Sequence, residues 1–471
     1  MTIYLDVQRV LAPDGYAGLI SRTNVFAFLC CIGLLGYPAY GEDAKAAPIS
    51  FRSQIAPILL DNCLACHGAK KAEGGYRVDT YEELIKAGDS GELPIATSAD
   101  HQSELLRRLI CEDESERMPA ESEPLAPEQI ALVNQWIASG GKFDGEDPKQ
   151  PLALVIPPVQ YASPPEHYAQ AIPITAAAFT ADGKQIVTGG YHELVIWNTE
   201  DASLVRRIKN VGQRVFALAF SPDGKILAAG CGEPGKSGEV RLLDFASGEV
   251  KGVIARSNDV VLDLANRPGA SELAVASADS SIRIVDVNTL QVIRTIASHA
   301  DWVTAIAWSD DGARLASASR DKSAKVYDGS TGELIASYLG HGAAVRGVTI
   351  LADNKQVVSA GADNKLHRWN IEDAKKVAEV VTGGEGYKLI RSATHLFVPC
   401  SDHRLLQIDL ASNKISQEFK GHRDWVLSAS YQPMTVGEAS GGLIASGAFD
   451  GEVRLWNAND TTLIRQWNAK P

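Results

Sequence analysis

Seven short hydrophobic runs in this chain end alike. Trp197-Asn198, Leu243-Asp244, Val285-Asp286, Tyr327-Asp328, Trp369-Asn370, Ile408-Asp409 and Trp456-Asn457 follow one another at intervals of 46, 42, 42, 42, 39 and 48 residues. Self-similarity at a fixed period means units that cannot bury their apolar faces alone and must stack on neighbours. Within the units, sets such as Phe216-Leu218-Phe220 and Thr304-Ile306-Trp308 keep the period of two that marks a strand. Ser221-Pro222-Asp223-Gly224 and Asp310-Asp311-Gly312 supply the turns. Residues 172–471 are therefore expected to be all-β.

The aromatic-Asp/Asn ending resembles the WD40 repeat, and seven periods imply a closed seven-bladed propeller with four strands per blade. The family's internal hydrogen-bond chain maps in full onto His341, Ser359, Asp363 and Trp369, and onto His422, Ser446, Asp450 and Trp456. The fourth unit keeps His299, Ser317 and Asp321 but has Tyr327, and the third keeps only Asp279. These histidines read as structural. His192, His367, His395 and His403 show no ligand spacing and are expected at surface or turn positions. The insertions Gly232–Ser237 and Met434–Gly442 read as polar loops.

Ahead of the array, Cys63-Leu64-Ala65-Cys66-His67 carries the chemistry. On a helix, positions i, i+3 and i+4 share a face. Two thiols there can add to the vinyl groups of one haem edge while an imidazole binds iron, the arrangement of c-type attachment. A zinc site would want a second ligand pair, and the chain has no other C-x-x-C or H-x₃₋₅-H. A redox C-x-x-C should follow a strand, whereas Phe51, Ile55, Ile58, Leu59 and Cys63 recur at helical spacing. The iron's sixth ligand is expected to be Met118, the one methionine in this region, with His101 the rival. Pro127 and Glu128 open a further helix with the stripe Ile130, Val133, Trp136, Ile137, stopped at Gly140-Gly141.

This segment resembles the planctomycete-type cytochrome c domain, from Phe51 through Cys63-Cys66-His67-Gly68, Gly74-Gly75-Tyr76-Arg77-Val78-Asp79 and Met118-Pro119 to Trp136-Ile137. Tyr76 stands where leucine is usual, and Ala120 replaces a second proline. The resemblance implies one covalently bound haem c on Cys63 and Cys66, with His67 and Met118 as iron ligands. The fold expected is thus multidomain: a small all-α cytochrome c-like domain, then an all-β seven-bladed propeller.

The boundaries follow from composition. Val25–Leu35 is an eleven-residue apolar run behind Arg22 and ahead of Ala39-Tyr40-Gly41, so residues 1–41 read as an export signal. That run is too short to span a bilayer, which takes about 20 apolar residues, and no integral membrane segment is expected in the mature chain. The cytochrome domain occupies 42–143, a linker with six prolines spans 144–171, and the propeller fills 172–471. Residues 42–150 hold 21 acids and 11 bases, and 151–471 hold 35 and 32, so the acidity belongs to the first domain. This disfavours nucleic acid and favours a cationic redox partner. Glu112, Asp113, Glu114 and Glu116, just ahead of Met118, are expected at the haem rim. The function expected is that of an exported electron carrier, periplasmic or at the outer face of the inner membrane, whose propeller docks a protein, more carrier than enzyme. A haem-based sensor and a haem–propeller oxidoreductase are the alternatives.

Overall fold

The computed structural model describes residues 48–68, 71–96, 102–120, 122–436 and 439–471. The export signal and His101 lie outside the described residues. Strands at 177–209, 214–257, 261–296, 303–338, 345–381, 390–420 and 426–468 form seven four-stranded antiparallel sheets, each with its strands in chain order. These are blades 1 to 7. In every blade the repeated dipeptide closes the third strand. Its acid or amide does so by local chemistry. Asp244, Asp328 and Asp409 each accept through Oδ1 from the backbone N–H groups two or three residues on (Ser247 at 2.8 Å, Thr331 at 2.8 Å, Ser412 at 2.7 Å). The short polar side chain thereby bends the chain into the fourth strand. The insertion after Gly232 is a hairpin extension rather than a loop, with Glu233 paired to Ser237. The second insertion likewise prolongs a hairpin, Val436 pairing with Ala439.

The ring closes by packing, since blades 1 and 7 share no strand. Ile174 N–H donates to Ala448 O at 3.1 Å and Ser428 Oγ donates to Ile174 O at 2.7 Å. Ile174, Val195 and Trp197 bury against Val453 and Ala469.

In blade 5 the internal chain is complete. His341 Nδ1 faces Asp363 Oδ2 at 3.0 Å, its Nε2 faces Ser359 Oγ at 2.8 Å, and Trp369 Nε1 donates to that hydroxyl at 3.3 Å. Blade 7 differs from expectation: His422 Nδ1 lies 3.0 Å from Glu452 rather than from Asp450. The Asp450 carboxylate is engaged by the Glu452 N–H at 3.1 Å. One more expectation fails. His367 is buried, stacked on His341 with ring centroids 4.1 Å apart, and its Nδ1 meets the Tyr338 hydroxyl at 2.9 Å. His192 sits in a turn but is also buried, its ring against Tyr161 and Tyr191. A third strand is covered on both faces by adjoining blades, so position in a strand end does not expose a ring.

The helical domain starts with a wide turn (Phe51–Ile55) capped by the Ser50 side chain, continued by α1 (Ala56–Asn62) with Pro57 in its first turn, where a missing N–H costs nothing. Then come α2 (Tyr81–Leu84), α3 (Glu104–Ile110) and α4 (Pro127–Ala138). Phe51 anchors the core, its ring 5.2 Å from Tyr81, 5.3 Å from Trp136 and 5.6 Å from Phe143. The Trp136 indole donates to Lys142 O at 2.9 Å, so this tryptophan is a packing residue. Gly140 and Gly141 end α4 at φ 104° and 58°, values that favour glycine.

The proline-rich stretch is folded onto both domains. Asp144 accepts from the Arg52 N–H at 2.9 Å, and α5 (Leu152–Val155) buries Leu152 and Val155 in the helical core. Farther on, Val159 O accepts from Arg241 Nη2 at 2.7 Å, and Tyr161 OH donates to Glu239 at 3.0 Å. Arg241 is fully buried, paired to Glu239 at 2.6 Å under the Tyr161 ring. The apolar residues between the prolines supply these attachments.

Candidate functional site

Helix α1 stops one residue before the expected attachment motif. Cys63 is its C-cap, and residues 63–67 form a turn rather than continuing the helix. The turn is closed by the His67 N–H to Cys63 O at 3.0 Å and the Cys66 N–H to the same carbonyl at 3.3 Å. The i to i+4 bond keeps Cys63 and His67 on one side of the turn, where both line the same cavity. The following segment returns beneath the ring: Val78 N–H donates to His67 O at 2.8 Å.

His67 is oriented by its neighbour. Nδ1 lies 3.2 Å from the Tyr76 carbonyl, which can only accept, so the proton belongs on Nδ1 and the lone pair on Nε2. That tautomer is the one a metal-binding imidazole needs. Tyr76 is itself held by its hydroxyl on Leu84 O at 2.9 Å, and burial beside Cys63 keeps its phenol well above the usual range. The role falls to the backbone carbonyl at this position, which is why the departure from leucine is tolerated and why side-chain motifs did not reveal it.

Cys63, His67 and Met118 line one cavity of about 260 Å³, walled by Val78, Leu105 and Leu109. Burial, with Cys66 close by, pushes the Cys63 thiol up to about 12. Cys66 sits on the same turn but outside the cavity lining, its sulfur 3.8 Å from Lys71 Nζ. Met118 is placed by its N–H on Arg108 O at 3.0 Å. The other described cysteines, Cys111, Cys231 and Cys400, are free thiols, and the last two are buried.

The acids at the opening are not those expected. Glu73, Asp89, Glu92 and Glu104 line it, together with Arg108, whereas none of Glu112, Asp113, Glu114 and Glu116 does. Glu116 is paired to Arg107 at 2.7 Å and Asp113 is engaged by the Ser115 hydroxyl at 2.7 Å. Hydrogen bonds from Arg107, then from Arg108, draw the Glu104 carboxyl down to about 2.

Residues 63–122 match the family model of planctomycete cytochrome C, and residues 204–244, 290–328, 332–370 and 413–457 match that of the WD domain, G-beta repeat. Each repeat match ends on the Asp or Asn that closes a third strand. This chain joins a cytochrome c-type domain to a WD40 propeller. Two curated proteins are similar over short stretches. One is the WD repeat and HMG-box DNA-binding protein 1 of Mus musculus, 33% identical over 88 residues, which are 19% of this chain and 7% of that protein. The other is the THO complex subunit 6 of Drosophila melanogaster, 42% identical over 62 residues, 13% of this chain and 16% of that protein. The chain thus spans only a small part of each relative's length. Among the described residues of the cytochrome–propeller chain, no helix is long and apolar enough to cross a membrane.

Proposed function

We propose that the protein is an exported monohaem c-type cytochrome that carries electrons, with its propeller as the docking platform for a partner protein. The observation that carries this reading is the convergence of Cys63, His67 and Met118 on one apolar-walled cavity, with the imidazole held so that Nε2 is free. The donor set fits a haem: two thiols to anchor it, a nitrogen and a thioether for iron, and an apolar wall that excludes water. When bound, haem supplies one-electron redox chemistry, and a thioether opposite imidazole raises the potential. The chain's own contribution is orientation. Tyr76 O fixes the ring of His67, Arg108 O fixes Met118, and Leu105 and Leu109 keep the site dry.

Export is supported by the apolar run Val25–Leu35 and its flanking Arg22. The partner proposed is cationic, because Glu73, Asp89 and Glu92 border the opening and steering by charge sets encounter rates in small redox interfaces. Absorption spectra of the exported protein, oxidised and reduced, test the reading. One haem per chain that survives acid extraction is expected, and Cys63→Ala with Cys66→Ala should abolish it. Retention of acid-stable haem in that double variant refutes covalent attachment. Electron transfer to a basic carrier should slow with rising salt, and faster transfer to an acidic carrier refutes the cationic partner.

A further inference from the structure

A cleft of about 620 Å³ lies between the outer side of the cofactor turn and blades 2 and 3. Leu60 and Leu64 form its cytochrome wall, and Ile254, Leu290 and Val292 form its propeller wall. Leu60 is packed against the same buried cluster as Ile254 and Leu290, so the two walls meet at its base. Leu64 lies between the two attachment cysteines, which places any occupant against the turn that carries them.

Arg256, Arg283 and Arg294 line this space together with Asp61 and Asp279, and the first two arginines keep donors unused. Arg283 Nη2 is bonded to Asp279 at 2.7 Å, but its Nη1 is buried without a hydrogen-bond partner. Arg256 is half-buried and makes no hydrogen bond among the described residues, with the Asp61 carboxyl as a charged neighbour across the cleft. A buried donor left unpaired costs about 1–3 kcal/mol, and guanidinium donors are matched best by a carboxylate or phosphate. Asp61 and Asp279 against the three arginines leave the lining one positive charge in excess, which a monoanion balances and a dianion overshoots.

We propose that the cleft binds an organic monocarboxylate with a short aliphatic tail. Its carboxylate accepts from Arg283 Nη1 and from Arg256, and its tail lies on Leu64, Leu290 and Val292. The site is distinct from the haem cavity, with which it shares none of these residues.

Calorimetric titration of the full chain with hexanoate, acetate, hexylamine and inorganic phosphate tests this. Hexanoate should bind at least tenfold more tightly than acetate, and hexylamine should give no heat. Arg283→Met should weaken hexanoate at least tenfold. Arg256→Met should do the same, and since Arg256 makes no hydrogen bond among the described residues, the far-ultraviolet circular dichroism of the variant should match the parent. Absence of hexanoate binding at millimolar concentration overturns the proposal, as does binding unchanged in Arg256→Met. Phosphate binding as tight as hexanoate overturns the ligand class. Heat of binding does not depend on the state of the iron, so this result stands apart from the fate of the haem reading.

Discussion

Replacing Arg241 with methionine should release the strap that runs from the cytochrome domain onto the propeller. The guanidinium donates to the Glu239 carboxylate, to Asn210 O and to Val159 O, and it lies 4.5 Å from the centre of the Tyr161 ring. Methionine fills much of the volume but leaves Glu239 charged and buried, with the Tyr161 hydroxyl, at 3.0 Å, still donating to it. Removing one member of a buried pair costs about 3–5 kcal/mol, chiefly because the other charge is left uncompensated. Adding Glu239→Gln removes that charge, so the double variant should recover part of the loss, leaving unpaired neutral groups at about 1–3 kcal/mol each. Urea unfolding followed by tryptophan fluorescence measures both, and limited proteolysis between residues 156 and 168 reports the strap directly. A single variant that costs under about 1 kcal/mol, with cleavage unchanged, would show that the strap is held elsewhere. A double variant worse than the single would show that the charge of Glu239 is not the source of the penalty.

Further outcomes follow from the same geometry. Met118→Ala should remove the weak sulfur-to-iron band of the ferric form and lower the potential, and an unchanged ferric spectrum excludes Met118 as ligand. Ser359→Ala takes the hydroxyl donor from His341 Nε2 and the acceptor from Trp369 Nε1 and should cost about 2–6 kcal/mol, one buried acceptor and one buried donor at 1–3 each; differential scanning calorimetry against Ser412→Ala, a turn serine, checks it. Acidification should weaken the propeller. Burial, with His341 alongside, draws His367 down to about 4, and burial draws His422 down to about 4 against the pull of Glu452. Between pH 6.5 and 4 the unfolded chain binds these protons and the folded one does not, so stability falls as pH falls through that window. In His367→Gln that slope should be shallower, and an unaltered slope refutes the assignment.

The parts of the fold that were legible in the sequence are those set by local chemistry. The third-strand endings declared themselves because Asp or Asn closes its own turn within three residues, and the Cys63–His67 motif because its geometry spans one turn. Contacts between elements left weaker traces. Asp450 looked like the acid of the seventh blade by its spacing, but its carboxylate is spent on the next turn and Glu452 reaches His422 instead. The spacing of His367 matched no ligand pattern, and its burial comes from a neighbouring fourth strand and a stacked ring, neither of which a single strand's pattern displays. Leu152 and Val155 were hidden among prolines, so a cut at residue 151 would take two core residues from the helical domain.

The charge pattern shows the same limit in a form that bears on function. Adjacency to Met118 suggested that Glu112 to Glu116 surround the cofactor, because neighbours in sequence are neighbours in space over a few residues. Met118, however, reaches the cavity through its N–H on Arg108 O, and the preceding turn folds away so that Glu116 meets Arg107. The opening is bordered instead by segments 73–76 and 88–94, which arrive because Gly88 packs against Tyr76 so closely that a Cβ would lie 2.6 Å from Gly74 O. Glu73 there is drawn below its ordinary value by Lys71, while Glu104 is committed to two arginines. The acids left to steer a partner are therefore Asp89 and Glu92 with part of Glu73. The net negative charge of the domain was readable as a number, but the face it marks is decided by which carboxylates the fold leaves unpaired.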